Sequence, residues 1–392
     1  MNRPNDGAPS RVWLMMGHRA GDNSQVQALG ETLGWPFEIK RFVYRKTELA
    51  TNLLLGPTLL GMVKSKSSVL EPPWPDLIIS AGRRNEPICR WIRKQAGGRD
   101  KVKMVHLGRP WAPIATFDLV ITTPQYRLPK RPNVLHNDTT IHRVTPGRLE
   151  SEAAALAPKV AHLPKPHIAV LVGGDSGPYR FNERAATRLG EQASALAAKS
   201  GGSLLVTDSA RTSSAAMDAL EAAITVPNWV YRWRPDADDN PYYGLLGLAE
   251  AIVPTADSIS MITEACATGK PVYFFDLGEG WNSMRTPIGV PGEKPAPMPP
   301  WSEMREDFDF GAFFYRMVMR YGWKRMTRDI RIIHRNLIES GRAVWLDENK
   351  TAGTPPPLQD LERAVSRIRG LFSTSDVGVP EAAADRKAAA AS

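Results

Sequence analysis

Two cysteines in 392 residues, Cys89 and Cys266, give neither a disulfide framework nor metal-ligand spacing. No apolar run approaches the roughly 18 residues of a membrane-spanning helix, and the first of them, Val12–Met16, is short. The polar opening MNRPNDGAPS lacks the order of a secretion signal. A reducing cytoplasm is the expected setting. His136 and His142 lie in a polar connection with Asp138 and have no further ligand at metal spacing, so no metal is expected. Nucleic-acid motifs are missing, and the basic residues are not interleaved with aromatics in any repeated way, which argues against nucleic acid. The first glycine turn, GHRAGDN (Gly17–Asn23), is not GxGxxG and has no P-loop lysine.

What is present is length, charge asymmetry and alternation. The chain accommodates two domains of common size and a tail. Net charge is +9, and residues 1–165 hold 25 Lys/Arg against 13 Asp/Glu, whereas residues 166–392 hold 25 against 28. The basic half should face something anionic: a membrane surface, or a phosphorylated acceptor, unless the charge serves only solubility. Leu49–Val63 is apolar and interrupted at Gly56-Pro57, with Lys40, Arg41, Arg45 and Lys46 before it and Lys64 and Lys66 after it. It reads as a buried kinked helix whose basic flanks suit anionic headgroups.

Short apolar runs at Val12–Met16, Phe37–Tyr44, Asp76–Ser80, Lys103–Leu107 and Asp118–Thr122 alternate with helical patterns such as Gln25–Leu33 and Ile88–Gln95. That pattern is a parallel α/β domain. Asn23 or Ser24 should cap the first helix and Gly34 should end it. After a helix at Leu149–Ala157, the stiff stretch LPKP (Leu163–Pro166) marks the boundary, and strands at His167–Val172, Leu204–Thr207 and Trp229–Trp233 restart the pattern. The expected units are 1–160, 161–345, and 346–392 with a last helix (Leu358–Leu371) and a disordered Ala-rich tail. The stretch after Leu277 should be irregular, followed by helices at Phe308–Arg325 and Asp329–Glu339.

Function reads most clearly from Pro254–Phe275, PTADSISMITEACATGKPVYFF. A buried strand, Ala251–Val253, is broken by Asp257 and Ser258, both residues that cap helices. Glu264 follows one helical step beyond Ser260 and Met261, and Gly269 ends the helix before a second buried strand, Val272–Phe275. Such a unit offers backbone N–H groups, hydroxyls and one carboxylate at the carboxyl end of a sheet, where phosphates and riboses bind. Upstream, GGDSGPYRF places Gly173, Gly174 and Gly177 where backbone approaches a ligand, with Asp175 and Ser176 able to cap the segment after them.

Asn240–Val272 resembles the "elongated mitochondria" family, named for a plant mitochondrial-fission protein, whose bacterial members are similar to GT-B glycosyltransferases. The similarity runs from about Val12 to Leu277. The resemblance implies two Rossmann-like domains with a cleft between them, and a carboxyl-terminal helix crossing back onto the first. It also implies a donor site made of Gly173, Gly174, Ser176, Gly177, Ser209, Arg211, Asp257, Ser258, Ser260, Met261 and Glu264, with Glu264 on the ribose. In DSART (Asp208–Thr212), Asp208 and Ala210 replace family residues, while Ser209 and Arg211 match. In GT-B enzymes the first loop faces the acceptor and often carries the base. His18 and Asp22 are its candidates, although His18 serves equally as a packing residue beside the turn. Gly17, Asn23, Arg83 and Arg84 are the acceptor-side candidates; loop arginines are also commonly just solvated.

The function implied is metal-independent transfer of a sugar from a UDP- or GDP-linked donor to a lipid-linked or envelope-glycan acceptor, without a cofactor. Two alternatives stand beside it. Non-hydrolysing sugar-nucleotide 2-epimerases share the fold but use several carboxylates, and the first domain's loops offer few beyond Asp22 and Glu86. A fission-type adaptor would keep the fold and bind a protein on a membrane.

Overall fold

The computed structural model describes residues 9–45, 56–235, 237, 239–285, 309–322, 327–356 and 358–373. Six parallel strands form the first sheet: β1 (Val12–Met16), β2 (Phe37–Arg41), β3 (Leu77–Ala81), β4 (Lys103–Leu107), β5 (Leu119–Thr122) and β6 (Val134–His136), in the order β2-β1-β3-β4-β5-β6. β1 and β3 are buried along their whole length, which is why they read as continuous apolar runs rather than alternating ones. Val12, Leu14 and Met16 meet the helix α1 (Ala20–Leu33) on one face. Trp13 and Met15 join the opposite core with Ile88, Cys89 and Ile92 of α2 (Glu86–Gln95).

After α3 (Pro146–Val160) comes the second sheet, with β7 (His167–Leu171), β8 (Ser203–Thr207), β9 (Asn228–Tyr231) and β10 (Ala251–Pro254) in the order β10-β7-β8-β9. A pair formed by β11 (Tyr273–Phe274) and β12 (Val344–Trp345) continues it through parallel bridges from Ile252 to Val272 and from Thr255 to Phe275. The full order, β12-β11-β10-β7-β8-β9, is the Rossmann order. Its helices are α4 (Glu183–Ala198), α5 (Ser214–Ala223), α6 (Tyr242–Leu248), α7 (Ile259–Ala267), α8 (Phe310–Tyr321) and α9 (Arg331–Glu339). Side-chain caps from Asn182, Ser213 and Asp309 start α4, α5 and α8.

The last helix, α10 (Asp360–Arg369), returns to the first sheet. Leu361, Ala364, Val365 and Ile368 complete the core containing Leu29 and Leu33. Its buried Asp360 carboxylate accepts bonds from the Asp138 N–H (3.0 Å), the Thr139 N–H (2.7 Å) and the Thr139 hydroxyl (2.7 Å).

Packing corrects the expected grouping in two places. Leu156 and Val160 of α3 belong to the core of the second sheet, and α10 belongs to the first rather than to a separate end unit. α1 also begins at Ala20, earlier than Gln25, because Asn23 does not cap it: the Asn23 amide accepts from the Gly17 N–H (2.8 Å) and donates to the Gly17 carbonyl (3.0 Å). β6 was not legible as a strand; it is only three residues at a half-buried edge. Lys40 is not a membrane-facing flank. It is buried, with Nζ 2.5 Å from Glu38 and 4.3 Å from the Trp13 ring. The apolar stretch 49–55, the Gly/Pro-rich stretch 286–308, the far end of the helix expected at Phe308–Arg325, and the tail 382–392 lie outside the described residues. Among the described residues no helix is long and apolar enough to cross a membrane.

Candidate functional site

Each sheet reverses its strand order once, between β1 and β3 in the first and between β7 and β10 in the second. Ligands of open α/β sheets bind beyond the carboxyl ends of the strands at such points. At the first reversal the loops after β1 and β3 open onto a cavity of about 430 Å³. It is lined by Gly17, His18, Arg19, Asp22, Arg83 and Arg84, and by the aromatics Tyr44, Trp111 and Tyr126. From the second half, Gly177, Tyr315, Thr327 and Arg328 close it. The residues expected as base and as acceptor arginines therefore do meet, with Gly177 of the glycine-rich loop opposite them.

Asp22 is half-buried in the first turn of α1. Burial lifts its carboxyl above the ordinary value, against the pull of Arg19 and Arg328. A side chain at Gly82 would begin 3.0 Å from Asp22 Oδ2, so the β3 loop passes directly over the carboxylate. Arg328 comes from beyond α8 and sits between the two halves, hydrogen-bonded to Tyr126 and 3.5 Å from Ser176 Oγ. Burial opposes its charge, but Tyr126, Tyr315 and Asp22 outweigh that and hold it above the usual arginine value. His18 is exposed at the mouth, edge-on to Tyr44 at 6.1 Å. Tyr44 in turn donates to Asn85, whose buried amide donates to the Met15 and Ala81 carbonyls at 3.0 Å each.

Arg83 lies over the Trp111 ring (4.4 Å) and Arg84 over the Tyr44 ring (5.7 Å). The Trp111 loop is anchored from below by the buried Glu86, which accepts from the Trp111 N–H (2.9 Å) and the Ala112 N–H (2.8 Å). Tyr44, Arg109, Trp111, Tyr126, Tyr315 and Arg328 were not singled out from sequence. Arg109 and Tyr126 had one usable signal, a loop directly after a strand; Arg328 had none.

At the second reversal the loop after β7 packs on the segment after β10. The Gly173 N–H donates to Thr255 Oγ1 (2.8 Å), and a Cβ at Gly173 would fall 2.5 Å from the Asp257 carboxylate. Asp257 is 2 % exposed, accepts from Thr255 Oγ1 (2.7 Å) and pairs with Arg211 Nη2 (2.8 Å). Burial pushes its carboxyl up although Arg211 pulls it down. Asp257 thus braces the glycine-rich loop from beneath, its carboxylate buried under Gly173. Ser209 Oγ donates to the Gly173 carbonyl, and Arg211 Nη1 donates to the Asp175 carbonyl at 2.7 Å. Those two side chains hold the loop as well. Gly174 has φ +105°, and a Cβ there would meet the Arg211 carbonyl at 2.4 Å.

Ser258 stands at the start of α7 without a side-chain cap, and Met261 packs against the second core. Ser260 Oγ would lie 3.2 Å from a Cβ at Gly21, so the starts of α1 and α7 pack directly against each other. Glu264 is buried, and its two oxygens accept from the Tyr242 (2.8 Å) and Tyr243 (3.0 Å) hydroxyls. Burial raises its carboxyl in spite of both bonds. Tyr242 and Tyr243, at the start of α6, are thus the partners of Glu264.

His106 is a packed strand histidine, 3.1 Å from Ser80 Oγ and pushed down to about 3 by burial. Among the described residues no group of three or more His, Cys, Asp or Glu is arranged to hold a metal.

Two parallel Rossmann-type sheets facing one cleft, with the last helix returned to the first sheet, define the two-domain GT-B class of α/β fold. Residues 20–287 match the family described as mitochondrial fission ELM1, and the chain belongs to that family. It is 28% identical over 242 residues to the mitochondrial fission protein ELM1 of Arabidopsis thaliana, covering 56% of this chain and 56% of that one. It is 23% identical over 312 residues to the uncharacterized protein RP120 of Rickettsia prowazekii (strain Madrid E), covering 71% and 86%. Among solved structures, a glycosyltransferase from Rickettsia africae ESF-5 aligns over 93% of this chain and 99% of its own, at 10% identity and a TM-score of 0.41.

Proposed function

We propose that the protein is a glycosyltransferase that moves a sugar from a nucleotide-sugar to a hydroxyl of an acceptor held by the first sheet. One observation carries this reading: a single cleft has a half-buried carboxylate, Asp22, on one wall and the tip of a glycine-rich loop, Gly177 with Arg328 beside it, on the other. In the transfer, the acceptor oxygen bonds to the anomeric carbon as the bond from that carbon to the diphosphate breaks. Asp22 takes the hydroxyl proton, with His18 at the mouth as the second candidate, and the nucleoside diphosphate leaves with the bonding pair. Ser176, the uncapped start of α7 at Ser258 and Ser260, and Arg328 offset the diphosphate charge, so the reading is metal-independent. Glu264 holds the ribose by exchanging a tyrosine hydroxyl for a sugar hydroxyl. A lipid-linked or envelope glycan is the acceptor, met on the cytoplasmic face of a membrane. Exposed Leu60 and Val69, with exposed Lys64 and Lys66 between them in the chain, suit that surface.

The test is calorimetric titration with UDP, GDP and their sugar conjugates. Micromolar binding that Glu264→Ala weakens about tenfold, or about 1.4 kcal/mol, supports the reading and identifies the base. If no nucleotide binds, the transferase and epimerase readings fall together.

The adaptor reading has its own observation. Both oxygens of Glu264 and two Nη atoms of Arg211 are taken up by the fold itself. The epimerase reading is disfavoured: among the described residues Asp22 is the one carboxylate lining the cleft, and Glu86 is spent on the Trp111 loop.

A further inference from the structure

We infer that the ligand of the cavity at the β1/β3 reversal carries a phosphoryl group next to a sugar or similar polyol ring, gripped by the guanidiniums of Arg83, Arg84 and Arg109. It rests on the transferase reading only in being called the acceptor.

Charge is the first ground. Among the described residues, five arginines, Arg19, Arg83, Arg84, Arg109 and Arg328, and one carboxylate, Asp22, line a cavity of about 430 Å³. Guanidiniums gathered around one concavity repel each other, and the low-dielectric walls strengthen that repulsion. A dianionic group in their midst turns the cost into attraction. A neutral sugar hydroxyl does not.

Pre-organisation is the second. Arginines that serve only solubility sweep through solvent, whereas two of these sit over aromatic rings, Arg83 at 4.4 Å from the Trp111 centroid and Arg84 at 5.7 Å from the Tyr44 centroid. A guanidinium stacked on a ring keeps its N–H edge in one plane, the geometry that meets two phosphate oxygens at once. The rings themselves are pinned from behind. Buried Asn85 fixes Tyr44, and buried Glu86 fixes the backbone of Trp111. Such a chain of support, from core residue to ring to guanidinium, holds donors in place before the ligand arrives, which lowers the ordering cost of binding.

Size and lining are the third. The cavity is in the range that encloses a small molecule rather than a polymer groove. Tyr126 and Tyr315 supply faces for a sugar ring beside the cationic side. The starts of α1 and α2 also open here without side-chain caps, adding N–H groups of the same electrostatic sense.

A phosphoryl beside a ring belongs equally to a free phosphosugar and to the head of a lipid-linked sugar, and the experiment separates them. The full chain is titrated with glucose 1-phosphate, with glucose, and with neutral-lipid vesicles doped with a polyprenyl diphosphate-sugar. Arg83→Ala/Arg84→Ala and Arg83→Lys/Arg84→Lys are titrated alongside. Expected are binding of glucose 1-phosphate at least about tenfold tighter than glucose, a loss of about tenfold or more in the alanine pair, and an intermediate loss in the lysine pair, which keeps charge but not the stacked fork. Tighter binding on vesicles assigns the lipid-linked source; tighter binding in solution assigns the free one. Equal binding of glucose, no phosphosugar binding in either form, or binding that neither variant pair alters overturns the inference. UDP titration of the same samples keeps the two readings apart. UDP binding without phosphosugar binding sinks this inference alone, and phosphosugar binding without any nucleotide binding sinks the transferase alone. A loss of UDP affinity equal to the loss of phosphosugar affinity in the arginine variants gives these residues to the donor, and the inference fails.

Discussion

Arg127 Nη2 reaches across from the first sheet's last loops to Asp329 Oδ2 at 3.3 Å, and Asp329 has no exposed surface. The same carboxylate takes a fork from Arg331, at 2.8 Å and 3.0 Å, while the Asp329 N–H donates to the Gln125 carbonyl at 3.1 Å. Removing the carboxylate takes the fork from buried Arg331 and the junction partner from half-buried Arg127. Asp329→Ala should therefore cost about 3–5 kcal/mol in urea unfolding. Arg127→Ala, which leaves the Arg331 fork intact, should cost clearly less. Equal losses would show that the Arg331 fork adds nothing beyond the junction contact.

Gly174 supplies a second test. Its φ of +105° and the 2.4 Å separation between a built Cβ and the Arg211 carbonyl involve backbone, which yields less readily than a side chain. Gly174→Ala should destabilise by about 2 kcal/mol or more and displace the loop that Arg211 and Asp257 brace. An unchanged unfolding midpoint would show that the loop repacks freely.

The tyrosines on Glu264 make a pH-dependent prediction. Burial holds this carboxyl above its unfolded value, so the folded chain takes up the proton first. Its contribution to stability is full below the unfolded value, about 4.3, and fades as pH rises through the folded one. Tyr242→Phe/Tyr243→Phe removes two donors from the charged form and pushes the folded value higher. The double variant should match wild type closely near pH 4 and fall behind by about 2 kcal/mol or more near pH 7, read from urea midpoints. A deficit independent of pH would mean that the hydroxyls act only through packing.

Histidines set the acid side. Burial pushes His106 down to about 3 and His334 down to about 4, and His334 Nε2 lies 2.7 Å from the Ala256 carbonyl. Both stay neutral in the folded chain, so their contribution is full above the ordinary value of 6.5 and is lost as pH falls toward those lower values. The unfolding midpoint should drop through that window, and His106→Asn should flatten the drop. An identical acid profile in the variant would remove His106 from the account.

Much of the framework was legible because parallel strands covered on both faces are largely apolar, as Val12–Met16 and, but for Ser80, Leu77–Ala81 are. The residues converging on the first cleft, Asp22 with Arg83 and Arg84, were legible because each comes after a strand's carboxyl end. What sequence hid was the direction in which polar side chains turn. The family resemblance implies that Asp257 and Ser209 belong to a donor site, yet one is folded under Gly173 and the other is tied to its carbonyl. Arg328 was beyond reach because its place depends on a contact between distant segments: Tyr126 belongs to the first sheet's loops and Ser176 to the second's.

The return of α10 to the first sheet means that the polypeptide passes between the two halves twice, once ahead of β7 and once ahead of Asp360. A body hung on two straps can nod but cannot spin. The walls that carry Asp22 and Arg328 are thereby tied to each other at two points of the chain rather than one.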